Sequence, residues 1–259
     1  MLFIILSILV FVHGFFWLAW KKDKLAIMDI AWGLGFVMVA AVGYLQNYHT
    51  GPKIVLLLMI SAWGLRLAWH ISTRSMGKGE DPRYQAMRDE WGPNYLKEAY
   101  KKVFLAQGAA MFVVSLPVQL GMSGDFERFG MKQFLGLAIF AIGLAIEAWA
   151  DAHLERFKKD PANKGKLCMT GPWVYCRFPN YLGEMLVWWG VYIYIFGFWT
   201  AWTIVGPLTI CYSLFKVTGI PLIEKKYMKR ADYREYASRV PRLIPFTKPR
   251  LPASNYSDA

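Results

Sequence analysis

The chain has 259 residues, of which 56% are hydrophobic and 17% aromatic, and its formal net charge at pH 7 is +12. Soluble domains of this length rarely contain several apolar runs of about 20 residues, so the composition excludes an ordinary soluble domain and indicates an integral membrane protein. The cations are spread over four loops, which excludes nucleic acid as an expected partner. The three cysteines have no CxxC spacing, which excludes a disulfide framework and a zinc site, and no metal is expected.

Seven apolar segments are long enough to cross a membrane as helices. In chain order they are Leu2 to Trp20, Ala26 to Leu45, Ile54 to Thr73, Val103 to Leu120, Phe134 to Ala152, Tyr181 to Phe198 and Trp199 to Val217. The region of Gly197 between the last two predicts a tight hairpin. The sequence therefore predicts an all-α, polytopic integral membrane protein with seven transmembrane helices, cytoplasmic loops and a cytoplasmic C-terminal tail. Residues 1–247 form a single membrane domain in this interpretation, with substrate-side helices in 1–125, a cofactor-binding part in 134–247 and a flexible tail at 248–259.

The basic residues alternate between loops in a way that predicts the orientation. The first, third and fifth loops and the tail are rich in lysine and arginine, whereas the even-numbered loops contain only Lys53, Arg128 and Lys132. Cytoplasmic loops carry an excess of basic residues, so an odd number of spans and a cytoplasmic C-terminus are expected, in a bacterial inner membrane. The N-terminal apolar run has no basic region before it, and it is interpreted as the first helix rather than as a signal peptide.

Several ionisable or amide side chains fall within the predicted spans, where such groups are costly and tend to mark functional sites. They are Asp29 in the second span, Arg66 and His70 four residues apart in the third, Glu147 and Asp151 four apart in the fifth, and Asn180 and Glu184 four apart in the sixth. Residues four apart share one face of a helix, so these groups are expected to line a common pocket that opens to the cytoplasm. The alternative is that Arg66 pairs with Asp29 or Glu147 and only ties the helices together.

Two cytoplasmic loops and the tail are expected to add charged and aromatic groups to this pocket. The loop from Met76 to Trp91 contributes Arg83 and Tyr84, the loop from Asp151 to Lys166 contributes Lys158 and Lys166, and the tail contributes Glu224 and Tyr227. Cations, aromatic faces and carboxylates are the groups that bind the phosphates, base and ribose of a nucleotide. The chain contains no G-x-G-x-x-G fingerprint and no P-loop, so a nucleotide would have to bind in an all-helical membrane pocket.

The stretch from Gly143 to Phe246 resembles the C-terminal region of the steroid 5α-reductase family of membrane reductases, and the chain before it resembles that family only in outline. The matching features are Asp151, Lys158, Lys166, the run GPWVYCRFPNYLGE with Asn180 and Glu184, Tyr227 and the closing RLIPF. The resemblance implies that these six residues line an NADPH site, with Arg66 and the Arg83 loop near the phosphates and His70 one turn along. Glu147 and Glu224 complete the candidate cofactor-binding residues. A cation that pairs with the extra 2′-phosphate is the reason to expect NADPH rather than NADH.

Two positions depart from the members of that family that act on 3-oxo-Δ4 steroids. Those enzymes resemble one another in a Gln-Glu pair on the second helix and a tyrosine on the third. The nearest counterparts here are Asp29, without a preceding glutamine, and Trp63. Tryptophan has no hydroxyl proton to give. The substrate is therefore expected to be lipophilic, of a steroid or isoprenoid type, with its identity open.

The leading hypothesis is an NADPH-dependent oxidoreductase that acts on a CH-CH group and reduces a polarised carbon–carbon double bond in a lipophilic substrate. The developing enolate oxygen needs an acid, for which Asp29, kept neutral by burial, is the first candidate and Tyr84 the second. One alternative is methyl transfer from S-adenosylmethionine by an isoprenylcysteine-type enzyme, although such enzymes are expected to show RHPxY where this chain has RFPNY at 177–181. The other is a non-catalytic membrane scaffold. Membrane lipid is the expected surrounding partner, and the oligomeric state is left open.

Overall fold

A computed structural model describes residues 1–47, 50–124 and 128–245 of the chain. All regular structure in these ranges is helical, as the sequence predicts, and they contain no β-strand. The segment predicted as a flexible tail, 248–259, and Phe246 of the closing RLIPF lie outside the described residues. The α-helices of the described ranges are α1 (Leu2–Lys21), α2 (Ile27–Leu45), α3 (Gly51–Ser75), α4 (Pro82–Trp91), α5 (Tyr95–Ala99), α6 (Ala106–Val114), α7 (Leu116–Ser123), α8 (Met131–Lys159), α9 (Pro179–Ile195), α10 (Val205–Tyr212), α11 (Ile220–Tyr227) and α12 (Ala231–Arg239).

Five helical runs of the described ranges are long and apolar enough to cross a membrane: α1, α2, α3, α8 and the run Phe198–Tyr227, which contains α10 and α11. A sixth is counted if Pro82–Val114 and Leu116–Ser123, which meet at 47°, form one broken span. The sequence predicts seven spans, and the remaining candidate is α9. This helix has only 17 residues and lies at the lower limit for a span.

Large apolar side chains lie on the outer surface, where contact with water would be unfavourable. Val10 on α1 is 73% exposed, and Phe198 and Trp199 at the start of the last apolar run are 85% and 84% exposed. Contiguous apolar surface of this kind is stable against lipid, and aromatic side chains are enriched where a membrane meets water. The long apolar helices and these exposed side chains together describe a membrane protein.

The predicted span from Val103 to Leu120 is bent, and a proline explains why. Pro117 lies in the first turn of α7, where it has no N–H to donate and its ring disfavours a straight continuation of α6. The carbonyl of Phe112 accepts instead from the Ser115 hydroxyl at 3.1 Å and from the Gln119 amide at 3.0 Å. A π-helical stretch, Tyr100–Leu105, precedes α6. The sequence prediction of one continuous helix here is therefore corrected to a bent pair of helices that meet at 47°.

The described chain folds into two compact units, the first comprising residues 1–134 and 191–206 and the second residues 135–190 and 207 onward. In unit 1, helices α2 and α3 cross at two glycines. A Cβ atom added to Gly64 would lie 2.5 Å from the carbonyl oxygen of Gly33, so the two backbones touch with no side chain between them. The buried rings of Phe36 and Trp63 pack edge to face nearby, with centroids 5.6 Å apart.

In unit 2, α8 and α9 run antiparallel and also touch through glycine. A Cβ atom on Gly143 would lie 2.7 Å from the carbonyl oxygen of Gly183, and one on Gly183 would lie 2.6 Å from the amide nitrogen of Glu147. A Cβ atom on Gly190 would lie 2.5 Å from the amide nitrogen of Phe140. Small residues let helix backbones approach closely in this way. The contact brings Glu147 beside the residue that precedes Glu184.

Two segments predicted as loops are partly helical, which is a correction to the sequence analysis. The predicted loop from Met76 to Trp91 forms α4 from Pro82 onward, because Asp81 accepts from the amide of Arg83 as an N-cap and proline suits the first helical position. The predicted loop from Asp151 to Lys166 begins only after Lys159, because no proline or glycine lies between Asp151 and Pro161. Asp151 and Lys158 are therefore residues of α8, and Asp151 does not lie at a helix end.

Candidate functional site

The sequence-predicted site residues fall into two sets, one in each compact unit. Unit 1 contains Asp29, Arg66, His70, Arg83 and Tyr84, and unit 2 contains Glu147, Asp151, Lys158, Lys166, Asn180, Glu184, Glu224 and Tyr227.

In unit 1 the structure brings together the two predicted catalytic residues and one predicted cofactor-binding residue. The Tyr84 hydroxyl donates to Oδ1 of Asp29 at 2.6 Å, and Nη2 of Arg83 pairs with Oδ2 of Asp29 at 2.7 Å. Arg83 also donates from Nε to the carboxylate of Asp81 at 2.9 Å. Partial burial works against ionisation of Asp81, but the hydrogen bonds from Arg83 prevail and lower the pKa of this carboxyl. Arg83 therefore lies between two carboxylates.

The loops around this cluster hold each other in place. The carboxylate of Glu80 accepts from the backbone amides of Leu25 at 2.6 Å and Ala26 at 3.0 Å, which are groups at the start of α2 that have no partner within the helix. Arg88 pairs with Glu80 at 3.1 Å and with Asp23 at 2.6 Å. These contacts fix the segment that leads into α4 over the first turn of α2, and so they position Arg83 and Tyr84 against Asp29.

One carboxylate oxygen of Asp29 accepts from the Tyr84 hydroxyl, and the other is paired with the Arg83 guanidinium. Tyr84 is only 5% exposed. The amide of Gln107 also bonds to the Tyr84 side chain, and it does so as a donor to the phenolic oxygen. In this pair Tyr84 is the donor and Asp29 the acceptor, and the catalytic roles of both residues stay predictions. Sequence analysis missed Gln107, because a lone glutamine in an apolar run carries no pattern.

Arg66 and His70 lie half-buried on one face of α3, as their spacing predicts. Trp63, the counterpart of the family tyrosine, lies on the same helix and is fully buried. The assignment of Arg66 and His70 to a cofactor stays a prediction.

In unit 2 the segment before α9 is anchored by a buried ion-pair cluster. Arg177, which is 6% exposed, pairs through Nη1 with Oε1 of Glu224 at 2.7 Å, and Arg242 pairs with Oε2 of the same carboxylate at 2.8 Å. The guanidinium of Arg177 also lies near the rings of Phe178 and Tyr233, at 5.9 and 5.8 Å from their centroids. Two cations share one anion here, so the cluster keeps an excess positive charge.

The chain beyond α12 supports the same segment through its backbone. The amide of Arg177 donates to the carbonyl of Pro241 at 2.8 Å, and the amide of Phe178 donates to the carbonyl of Arg242 at 3.1 Å. The Tyr236 hydroxyl donates to the carbonyl of Trp173 at 2.5 Å. Burial raises the pKa of Tyr236, so this hydroxyl keeps its proton at neutral pH. We call residues 240–243 the C-terminal strap.

Three buried polar atoms between Trp173 and Asn180 form no hydrogen bond with the part of the chain that the structure describes. They are Nε1 of Trp173, Nε of Arg177 and Oδ1 of Asn180. A buried polar atom without a partner costs about 1–3 kcal/mol, and native proteins contain few of them. Three within eight residues indicate a place where the polar groups of a ligand complete the bonding. Asn180 was predicted as a ligand-binding residue, whereas Trp173 and Arg177 were not, although both lie in the motif that suggested the site.

The remaining predicted residues of unit 2 differ in their surroundings. Glu147 and Asp151 are buried on α8, Glu184 is half-buried on α9, and Lys158 and Lys166 are exposed. Tyr227 contacts Tyr233, with ring centroids 5.6 Å apart, and thus lies next to the Arg177 cluster. Glu224 bonds with two guanidinium groups and so has a structural task as well as the predicted one. The cofactor-binding roles of these residues stay predictions.

Comparison with known proteins gives a family but no activity. A family model described as "Protein of unknown function (DUF1295)" matches residues 14–240. An uncharacterised protein of the fission yeast Schizosaccharomyces pombe is 24% identical over 258 aligned residues, which cover 87% of this chain and 72% of the relative. No solved structure matches the chain significantly.

Proposed function

The chain belongs to this family of unknown function, and from that premise we propose that it is a membrane-embedded, NADPH-dependent reductase of a polarised carbon–carbon double bond in a lipophilic substrate. The observation that carries the proposal is the set of buried polar atoms without partners on Trp173, Arg177 and Asn180. In the proposal, α9 is a seventh span and the C-terminus is cytoplasmic, which follows from the alternation of basic loops.

The residues of unit 2 are chemically suited to NADPH. Nε1 of Trp173 and Nε of Arg177 are donors, which suits phosphate or hydroxyl oxygens, and Oδ1 of Asn180 is an acceptor, which suits an amide N–H or a ribose hydroxyl. The excess positive charge of the Arg177 cluster favours an anionic ligand. Glu184 and Asp151 offer carboxylates for ribose hydroxyls, and Tyr227 offers an aromatic face. A nicotinamide dinucleotide carries all of these partner groups.

Unit 1 offers surfaces for a lipophilic substrate and a proton. A cavity of about 350 Å³ between α1 and α6 is lined only by apolar side chains and glycine: Ile5, Ile8, Leu9, Val12, Leu105, Gly108, Ala109, Phe112 and Val113. Such a surface matches a hydrocarbon chain and repels polar ligands. The hydroxyl of Tyr84 supplies the proton-bearing group that an enolate requires.

The proposed reduction needs a hydride and a proton. When bound, NADPH supplies a hydride to the carbon β to the electron-withdrawing group of the substrate. Tyr84 donates a hydrogen bond to the oxygen on which negative charge develops, and it gives its proton as the reduction completes. Burial and the Asp29 carboxylate disfavour a charge on the phenolic oxygen, whereas the guanidinium of Arg83, 5.6 Å from the ring, and the Gln107 amide favour it, so Tyr84 must recover a proton before the next turnover. Asp29 holds the Tyr84 hydroxyl before the substrate arrives.

Thermal stability of the purified chain tests cofactor binding without a known substrate. A ligand that binds only the folded state raises the apparent stability, by about 2.7 kcal/mol at 100 times its Kd. We expect protection by NADPH, weaker protection by NADH and none by S-adenosylmethionine. Asn180→Ala should abolish the NADPH protection without lowering the melting temperature of the unliganded protein, because its amide oxygen has no partner to lose. Asn94→Ala, at an exposed asparagine outside unit 2, should keep the full NADPH effect.

Other outcomes of the same assay contradict the reductase. Protection by S-adenosylmethionine alone would assign the chain to methyl transfer. Indifference to all three nucleotides would favour a non-catalytic scaffold. Normal NADPH protection in Asn180→Ala would remove the observation on which the proposal rests.

A further inference from the structure

A second cavity, which unlike the first is lined by polar residues, opens on unit 2 in the loop that follows α8. Its volume is about 480 Å³. Its lining consists of Lys164, Gly165, Lys166, Leu167, Met169, Arg230 and Asp232. It includes neither the Arg177 cluster nor Asn180, and it therefore calls for a separate account.

The turn at the mouth of this cavity places two lysines on it. Asp160 accepts from the amide of Ala162 at 2.9 Å and so begins a short 3₁₀ turn. The turn closes through a bond from the amide of Lys166 to the carbonyl of Asn163 at 3.0 Å. Gly165 adopts a φ of +82°, a backbone conformation that other residues rarely take, and this lets the chain reverse between the lysines. Lys164 and Lys166, on either side of this glycine, both line the cavity.

Arg230 is held rigidly at the opposite wall. Its Nη2 donates to the carbonyl of Gly165 at 2.8 Å and to Oδ2 of Asp232 at 2.6 Å, while its Nε donates to Oδ1 of Asp232 at 3.0 Å. The Asp232 carboxylate also accepts from the amide of Tyr233 at 2.7 Å. Asp232 is the one acidic residue among the lining residues of the cavity, and these bonds engage both of its carboxylate oxygens. Three cations and one carboxylate leave two positive charges for a ligand.

The lysines carry those two charges without a competing protein partner. Both are exposed, and neither ammonium group forms a hydrogen bond or ion pair within residues 1–47, 50–124 and 128–245. The floor between them is apolar, because Leu167 and Met169 line the cavity and also pack against the buried Tyr233 and Tyr236. The cavity thus combines a fixed guanidinium, two adaptable ammonium groups and a firm apolar floor.

We propose that this cavity binds a phosphate monoester, with the dianionic phosphate between Lys164, Lys166 and Arg230 and the organic part of the ligand on Leu167 and Met169. Two unpaired positive charges match a phosphate dianion, and charge-assisted hydrogen bonds to phosphate are about twice as strong as neutral ones. A carboxylate ligand would leave one charge uncompensated. The phosphate can belong to a soluble ester or to an anionic lipid headgroup, which share this chemistry. The inference does not depend on the proposed reductase activity.

The test uses the full chain and probes that lack a nicotinamide. Melting temperatures of the detergent-purified protein are measured with adenosine 2′-monophosphate and with adenosine, at constant ionic strength. In parallel, nanodiscs of phosphatidylcholine with and without phosphatidic acid are compared. We expect the phosphate-bearing probe of at least one pair to stabilise the protein. Protection by the nucleotide identifies a soluble ester, and protection by phosphatidic acid identifies a lipid headgroup.

Two double variants that remove the same charge distinguish binding in this cavity from nonspecific attraction to a basic surface. The double variant Lys164→Gln, Lys166→Gln should weaken the apparent affinity for the stabilising probe by about tenfold or more, because it removes two charge-assisted bonds. Lys225→Gln, Lys229→Gln removes the same charge from exposed lysines of unit 2 that do not line the cavity, and it should keep the affinity within about threefold.

Three results would overturn the proposal. One is the absence of stabilisation by either phosphate-bearing probe. The second is an equal loss of affinity in the two double variants, which would indicate a diffuse electrostatic effect. The third is retained affinity in the Lys164→Gln, Lys166→Gln protein.

Discussion

Arg177 and Glu224 are 47 residues apart in the chain, yet their side chains pair at 2.7 Å in a nearly water-free setting. Arg177 immediately precedes the start of α9, and Glu224 lies on α11. The bond therefore ties the motif that first suggested a site to a helix outside that motif. Buried ion pairs contribute little relative to apolar replacements, but removal of one partner leaves an uncompensated charge behind.

Glu224→Ala should consequently destabilise the protein strongly. We expect a loss of about 3–5 kcal/mol in the free energy of unfolding, because the buried Arg177 is left unpaired. Glu235→Ala is the control, since Glu235 forms an exposed pair with Arg239 at 3.0 Å, and such pairs contribute about 0–1 kcal/mol. Circular dichroism melting of the two purified variants measures the difference. Equal melting temperatures would show that the Arg177 cluster has no structural task.

Gly183→Ala should separate α8 from α9. The added Cβ would lie 2.6 Å from the amide nitrogen of Glu147, and a backbone atom cannot move aside as a side-chain end can. Overpacking of this kind costs about 1–3 kcal/mol. Gly14→Ala places the same methyl group where nothing lies within 4 Å, and it should be neutral or slightly stabilising because alanine favours a helix. Thermal melting in detergent compares the two variants, and a normal melting temperature for Gly183→Ala would contradict the close contact.

Tyr84→Phe should abolish turnover while the fold and the NADPH effect persist. The change removes the hydroxyl that Tyr84 would use as the proposed acid, and loss of a general acid lowers rates by about 10²–10⁴-fold. Tyr95→Phe is the matched control, because its hydroxyl bonds to Asp23 at 3.3 Å at an exposed position. Consumption of NADPH is followed at 340 nm with a panel of steroid and isoprenoid enones. Undiminished consumption by Tyr84→Phe would exclude this residue as the acid.

The buried thiol of Cys176 should make stability fall at alkaline pH. Burial raises its pKa from 9.0 to about 11, so the folded state holds the thiol proton more tightly than the unfolded state does. The corresponding stability is fully present below about pH 9, and it is lost as the pH rises through about 11. A shift of this size is equivalent to about 2–3 kcal/mol. The melting temperature, measured between pH 7 and 11, should therefore fall more steeply with pH for the natural chain than for Cys176→Ala. Identical pH profiles of the two proteins would contradict this account.

Seven spans require the two ends of the chain to lie on opposite sides of the membrane. A green fluorescent protein fused to the C-terminus should fluoresce, because the tail is expected in the cytoplasm, and alkaline phosphatase fused there should be inactive. Fusions after Gly197 should give the reverse pattern. A fluorescent fusion after Gly197 would place that position on the side expected for the loop after α8, and it would remove α9 from the list of spans.

The sequence allowed the helical class, the membrane location and most spans to be predicted, because periodic or continuous hydrophobicity is a local signal. The limits of α8 and α4 were predicted less well. The Asp81-Pro82 pair is a helix start that could have been recognised, and the absence of a breaker between Asp151 and Pro161 predicts a longer helix. Gly183 and Gly190 lie seven residues apart and so on the same face of α9. This spacing of glycines is a local signal that could have predicted a close contact between helices.

The pairings within the site could not be predicted in the same way. Tyr84 meets Asp29 across 55 residues, and Glu224 meets Arg177 across 47. Such partners depend on how separate helices pack, and one sequence contains no local pattern for it. The sequence interpretation of Asp29 as a neutral acid was reasonable for an isolated carboxyl in an apolar helix. That interpretation stays a prediction, and the contact of Asp29 with Arg83 is one that no spacing rule reveals.

The C-terminal strap has a consequence for the order in which the protein is made. Chains emerge from the ribosome with their N-terminal parts first. The backbone partners of Arg177 and Phe178 are supplied by Pro241 and Arg242, so the segment that enters α9 can reach its final form only after translation has passed these late codons. A nascent polypeptide stalled earlier would already contain the residues of α8 and α9, and it would still lack the backbone partners that hold the segment between them.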